Sequence, residues 1–209
     1  MVLDDERIET NKQEFISLLQ QITRENCNIE GLIKKLCNSD FFEAPASTTH
    51  HLACKGGLAE HCLNVYYNLK HLFLYKQIEV DEDSLIIVGL LHDFSKMNIY
   101  EQGVKNKKVY SDIGSKHDEL GKFDWVSERS YVRKPEKETF IYGNHEMTSE
   151  YMVRQFIPLT LEESIAITHH MGGLGWDSAK DNTSLIFSTY PLAALLHIAD
   201  MMATFVDYP

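Results

Sequence analysis

Positive charge is scarce in this chain. Twenty Lys and Arg stand against 31 Asp and Glu, for a net charge of -11 at pH 7. Affinity for long nucleic acid comes mostly from Lys and Arg neutralising phosphates, so such a polymer is not expected as the main partner. Long apolar runs are missing too. The longest, Leu85 to Leu91, is far too short to cross a bilayer, and no membrane partner is expected. The opening residues, MVLDDERIETNK, are charged and carry no apolar stretch of the signal-peptide kind. Cys27, Cys37, Cys54 and Cys62 form no CxxC pair and no dense framework, which fits reduced thiols in a cytoplasmic protein. Neither Gly56-Gly57 nor Gly172-Gly173 has the GK[ST] context of a P-loop. No Ser-His-Asp or Cys-His nucleophile arrangement stands out.

What is present is ordinary for a folded chain: 209 residues, 44% hydrophobic and 24% charged. That length suits one domain with a sizeable core. Helical signals dominate. Phe15, Leu18, Leu19 and Ile22 form one stripe, and Ile29, Leu32, Ile33 and Leu36 another, placing helices within residues 1–40. Gly57 opens a long helical segment. Asp81 caps a run expected to continue through Ile99, and Thr160-Leu-Glu-Glu163 reads as a capping box. Tyr190-Pro191 starts a last helix reaching about Phe205. Residues 101–142 differ, with short pieces such as KKVYS and RSYVR that predict a small β-hairpin-like insertion. This stretch also holds Lys105, Lys107, Lys108, Arg129, Arg133 and Lys134, either as a solvated loop or as a substrate-facing lid.

Several histidines and aspartates fall where a helix would normally place leucine. His61 lies beside the Leu58–Cys62–Val65 stripe, His92-Asp93 ends SLIIVGLLHD, and Asp200 ends PLAALLHIAD. His145-Glu146 and His169-His170 add further imidazoles. Any one buried histidine is most simply a hydrogen-bonded core residue, and either aspartate could cap a helix or pair with Lys96. Together they form a pattern. An ionised carboxylate in an apolar interior costs several kcal/mol or more unless it is paired or bound to metal. Imidazole nitrogens with carboxylate oxygens suit a divalent transition ion better than calcium.

The ordered set GGLAEH (56–61), LLHDFSK (90–96), GNHE (143–146), THHMGG (168–173) and LLHIAD (195–200) resembles the HD-domain metal-dependent phosphohydrolases over about residues 45–206. Within that group the chain looks most like small phage- or prophage-type HD proteins, with DFFEAPAS adding to the likeness, and less like HD-type bacterial exoribonucleases. The resemblance implies an all-α HD-domain helical bundle, one HD-type domain over 1–209, holding one or two divalent metal ions. Mn or Fe head the expectation, with Zn, Ni, Co and Mg also compatible. Position by position, His61, His92, Asp93 and Asp200 match the ligands of a first metal. His145 and His170, or else His169, match the extra histidines of two-metal members, with Asp93 bridging. His51 is a further metal or outer-sphere candidate. The GNHE stretch departs from relatives that read Gly-His-Gly-Glu, which bears on the second site.

Lys96 matches a lysine that resembles a phosphate contact, so Asp93 and Lys96 are the expected catalytic residues. Trp176 and Asp177 are candidate substrate contacts. The expected activity is hydrolysis of a phosphomonoester or phosphodiester, of a nucleotide or short oligonucleotide. A 3′–5′ exonuclease, a non-catalytic nucleotide sensor, a structural metal site and an oxygen-using di-iron centre are the alternatives.

Overall fold

In the computed structural model the described residues are 2–48, 52–140, 142–172 and 182–207. Among them are eight α-helices and one three-stranded sheet. The helices are α1 (Asp5–Leu19), α2 (Ile29–Cys37), α3 (Gly57–Lys76), α4 (Glu82–Leu91), α5 (His145–Val153), α6 (Leu161–Thr168), α7 (Thr183–Thr189) and α8 (Pro191–Phe205). The strands are β1 (Tyr100–Tyr110), β2 (Lys116–Asp118) and β3 (Gly121–Arg133), in the order β1-β3-β2 and antiparallel throughout. The expectation of an all-α chain is therefore corrected. The insertion is a true sheet, with β1 and β3 paired from Tyr100↔Arg133 to Tyr110↔Phe123. No single helix among the described residues is long and apolar enough to cross a membrane.

Local chemistry sets the helix ends. Asp81 accepts from the Asp83 N–H at the start of α4, and Asn144 does the same for Met147 at the start of α5. Thr160 and Glu163 close a reciprocal capping box on α6, and Pro191 opens α8, where its missing N–H costs nothing. The run after Asp81 stops earlier than its periodicity predicts. α4 ends at Leu91, and a single 3-10 turn, Phe94–Lys96, follows. His92-Asp93 thus lies in a break between two helical pieces.

The core joins α1 to α4, α6 and α8 through residues such as Phe15, Leu32, Leu58, Leu69, Ile86, Leu90, Ile167 and Leu196. Each such burial contributes about 1.5–3 kcal/mol. Gly89 allows α4 to close on α3, since a Cβ there would lie 2.8 Å from the Tyr66 Cα. Just before His61, buried Glu60 accepts two bonds from the Arg7 guanidinium, at 2.8 and 2.9 Å, and one from Asn11, tying α1 to α3.

A second buried carboxylate fastens α6. Glu163 takes both arms of Arg24, at 2.7 and 2.6 Å, together with the Ser84 hydroxyl and the Thr160 N–H. Burial alone pushes its carboxyl up, but these donors outweigh burial and hold it below the usual 4.5. The unfolded chain therefore binds this proton first. The stabilisation is complete above pH 4.5 and is lost as pH falls through the lower folded value. Removing one partner strands the other, so Glu163→Ala is expected to cost roughly 3–5 kcal/mol in urea unfolding. Glu163→Gln should flatten the acid side of the stability curve, and an unchanged acid limb would contradict this assignment.

Candidate metal centre

Five elements bring their polar residues to one point. His61 comes from the second turn of α3, His92 and Asp93 from the break after α4, and His145 from the first residue of α5. His170 lies in the turn after α6, and Asp200 lies on α8. His61, His92, Asp93, His170 and Asp200 are buried, and His145 is half-buried.

The two oxygens of Asp93 face opposite ways. Oδ2 lies 3.6 Å from His61 Nε2, 3.4 Å from His92 Nε2 and 2.7 Å from the Lys96 ammonium. Oδ1 lies 3.7 Å from both His145 Nε2 and His170 Nε2. Asp200 Oδ1 completes the first side at 3.1 Å from His61 Nε2. Ligand-type atoms therefore gather in two sets that share Asp93, one with His61 and His92 and one with His145 and His170.

Neighbouring groups aim the imidazoles. His92 Nδ1 donates to Gly89 O at 3.0 Å and His170 Nδ1 to Ile167 O at 2.8 Å, which turns each Nε2 toward Asp93. His145 Nδ1 faces the Glu146 carboxylate at 3.1 Å. Ser95 donates to His145 O and receives the Ser149 hydroxyl, so the 3-10 turn carrying Lys96 is fastened to α5. His197 Nδ1 donates to His170 O at 2.7 Å.

The polar interior is incompletely satisfied by the protein. Asp93 Oδ1 and His145 Nε2 are buried with no hydrogen-bond partner, and His61 Nε2 and His92 Nε2 face each other at 3.3 Å. Apposed nitrogens and an unanswered carboxylate oxygen are what a cation between them would resolve. The donor set of imidazoles and carboxylates fits a divalent metal. Electrostatics prepare the same atoms. Burial pulls His145 down to about 3 and His170 to about 4, so both are neutral at pH 7. Burial also pulls on His92, but the Asp93 charge leaves it raised. Asp93 stays well below the carboxylate range despite its burial, chiefly through Lys96 and His92.

Of the histidine doublet, His170 faces Asp93, whereas His169 turns away, with Nδ1 3.0 Å from Ile165 O. His51, Trp176 and Asp177 lie outside the described residues. The sequence by itself assigns no role to Glu146, Ser95 or Ser149. Only the position of Glu146, beside a histidine at a helix start, hinted at one.

A family model described as HD domain matches residues 58–200, and so takes in every residue of this cluster. The chain belongs to the HD-domain family. Nothing matches it among curated proteins or among solved structures. HD domains bind divalent metals and are in general metal-dependent phosphohydrolases, and the cluster of His61, His92, Asp93, His145 and His170 fits such a metal site.

A ligand that binds only the folded state stabilises it by about 2.7 kcal/mol at one hundred times its dissociation constant. Mn2+ is therefore expected to raise the melting temperature of metal-free protein, and Asp93→Asn to abolish the rise. A variant that gained as much from Mn2+ as the unaltered protein would place the ion elsewhere.

Proposed function

We propose that this HD domain hydrolyses a phosphate ester of a nucleotide or short oligonucleotide. The observation that supports this best is the two-sided Asp93 carboxylate, with a histidine pair on each oxygen and a lysine beside it. His61, His92, Asp200 and Asp93 Oδ2 would hold a first ion, and His145, His170 and Asp93 Oδ1 a second. Bound divalent ions supply Lewis acidity, lowering the pKa of water and polarising a phosphoryl oxygen.

The chain's own residues do the rest. Asp93, with both oxygens committed and α4 packed behind it, fixes the spacing between the two ligand sets. Glu146 keeps the His145 ring oriented, and the carbonyls of Gly89 and Ile167 keep those of His92 and His170. Lys96 is half-buried beside Asp93, where its ammonium can meet a phosphoryl oxygen and offset the charge that grows there in the transition state. The -11 charge of the whole chain makes this local cation matter more, because a phosphate must be drawn against the general field. The ordered motif set, with the DFFEAPAS segment added to it, supports placing the chain with phage-type members, and four cysteines without a disulfide framework support a cytoplasmic location.

The test pairs metal content with turnover on a panel of mononucleotides, cyclic dinucleotides and short oligonucleotides with added Mn2+ or Fe2+. The unaltered protein should carry one or two transition ions per chain and release product. Lys96→Ala should keep its metal and lose roughly 100- to 1000-fold in kcat, the scale of removing one preorganised charge-stabilising donor. Bound metal with no turnover on any phosphorylated compound would replace this reading with a nucleotide sensor, and turnover that consumed oxygen would replace it with an oxygenase.

A further inference from the structure

The metal centre takes up Lys96 but leaves the cations and aromatics of the sheet without a task. The β1–β3 register sorts them, because residues directly opposite each other share a face. One face carries Tyr100, Trp125, Arg129, Tyr131 and Arg133, and neither β1 nor β3 places an acidic residue on it. The other face carries Glu101, Asp124 and Glu128 among its residues. In a chain of net charge -11, that separation of charge is strong.

The two faces also differ in what covers them. The mixed face is closed near its root, where Lys105 donates to Thr48 O at 2.6 Å and Ser130 reaches the same carbonyl at 3.5 Å. The first face has Arg129, Arg133 and Trp125 exposed, and its one acid, Asp118 of β2, sits at the far end against Lys108 and Tyr110. It is also the face that begins at the metal centre. Tyr100 is half-buried, stands four residues beyond Lys96 and pairs across the sheet with Arg133. At the far end Trp125 is held in place. Lys108 lies 5.7 Å from its ring centroid and Phe123 meets it edge-on at 5.8 Å, while Asp118 answers the Lys108 charge at 2.5 Å. The two arginines thus stay available for a ligand from solution, with a tyrosine between them.

We propose that this face of the sheet binds a single-stranded oligonucleotide whose scissile phosphate reaches the metal centre past Tyr100 and Arg133. This rests on the phosphohydrolase reading for the reaction, but the surface stands on its own observations. Arg129 and Arg133, about 13 Å apart along β3, would take two separate backbone phosphates, while Tyr131 and Trp125 offer ring faces to bases, the combination by which proteins hold single strands with little sequence preference. Length favours an oligonucleotide over a mononucleotide. From Arg133 to Trp125 is eight residues of β3, about 26 Å at ~3.3 Å per residue, far more than one nucleotide occupies.

The experiment is fluorescence anisotropy of a labelled hexadeoxynucleotide with hydrolysis-resistant phosphorothioate linkages, titrated with metal-loaded protein. Tyr131→Ala should weaken binding roughly 5- to 150-fold, the span measured for one stacked base. Arg129→Ala should weaken it too and lower the salt slope by about 0.7, the loss of one phosphate contact. Lys107→Ala, which removes the same charge from the opposite face, should change affinity less than two-fold, and circular dichroism should find all three variants folded. Equal losses from Lys107→Ala and Arg129→Ala would overturn the proposal, as would unchanged binding by Tyr131→Ala. A mononucleotide competing as well as the hexamer would overturn it as well. Hydrolysis of bis(4-nitrophenyl) phosphate by the unaltered protein separates the two ideas. Turnover without the face-specific binding pattern sinks the surface alone, whereas the pattern without turnover of any phosphate ester sinks the hydrolase alone.

Discussion

The buried negative charge of Asp93 is the constraint around which the surrounding elements are arranged. An isolated carboxylate at such depth would take up a proton rather than stay charged. Here it stays ionised because Lys96 and several imidazoles reach it from five elements. Delivering those groups dictates much of the fold. α4 must stop at Leu91 so that Asp93 can leave the helix, and Gly89 must lack a side chain so that α4 lies against α3 and His61. The Ser95–Ser149 contact then draws α5, and with it His145, to the other oxygen.

The other buried carboxylates show the contrast between structure and site. Glu163 and Glu60 are each answered by an arginine in a two-pronged geometry and by further protein donors. Such pairs resist loss of either partner but offer nothing to a ligand. Asp93 has one oxygen answered by Lys96 and the other left without a hydrogen bond, with histidine nitrogens aimed toward it. The same kind of group, buried to the same degree, is thus closed off in two places and left open in one. That difference separates a structural ion pair from a candidate metal centre.

Much of this was legible in the sequence because it depends on local rules. Asp81 and the Thr160–Glu163 box cap where their side chains predicted, and Pro191 opens the last helix. Histidines and aspartates on apolar faces pointed inward because a helix has one buried side. What local rules could not see was distance. The break after Leu91 was hidden within an unbroken apolar periodicity, and which of His169 and His170 faces inward depends on a turn rather than a repeat. Ser95 and Ser149 act across elements, so nothing in their own neighbourhoods marks them, whereas Glu146 sits beside the histidine it orients. The sheet was foreseen only as short strands. Its register, which separates Arg129 and Tyr131 from Lys105 and Glu128, is a pairing of residues far apart in the chain. α7 gave no signal in advance, since its seven residues bury no side chain fully.

In the proposed centre one carboxylate, Asp93, serves two ions, one on each oxygen. Crystals of the protein grown with Mn2+, measured at a wavelength where manganese scatters anomalously, test it most directly. Two anomalous peaks are expected, one bonded to Asp93 Oδ2 among His61, His92 and Asp200, the other bonded to Oδ1 between His145 and His170. No peak at Asp93, or two ions with neither bonded to it, would contradict a shared carboxylate and leave the Lys96 pair as the whole answer to its buried charge.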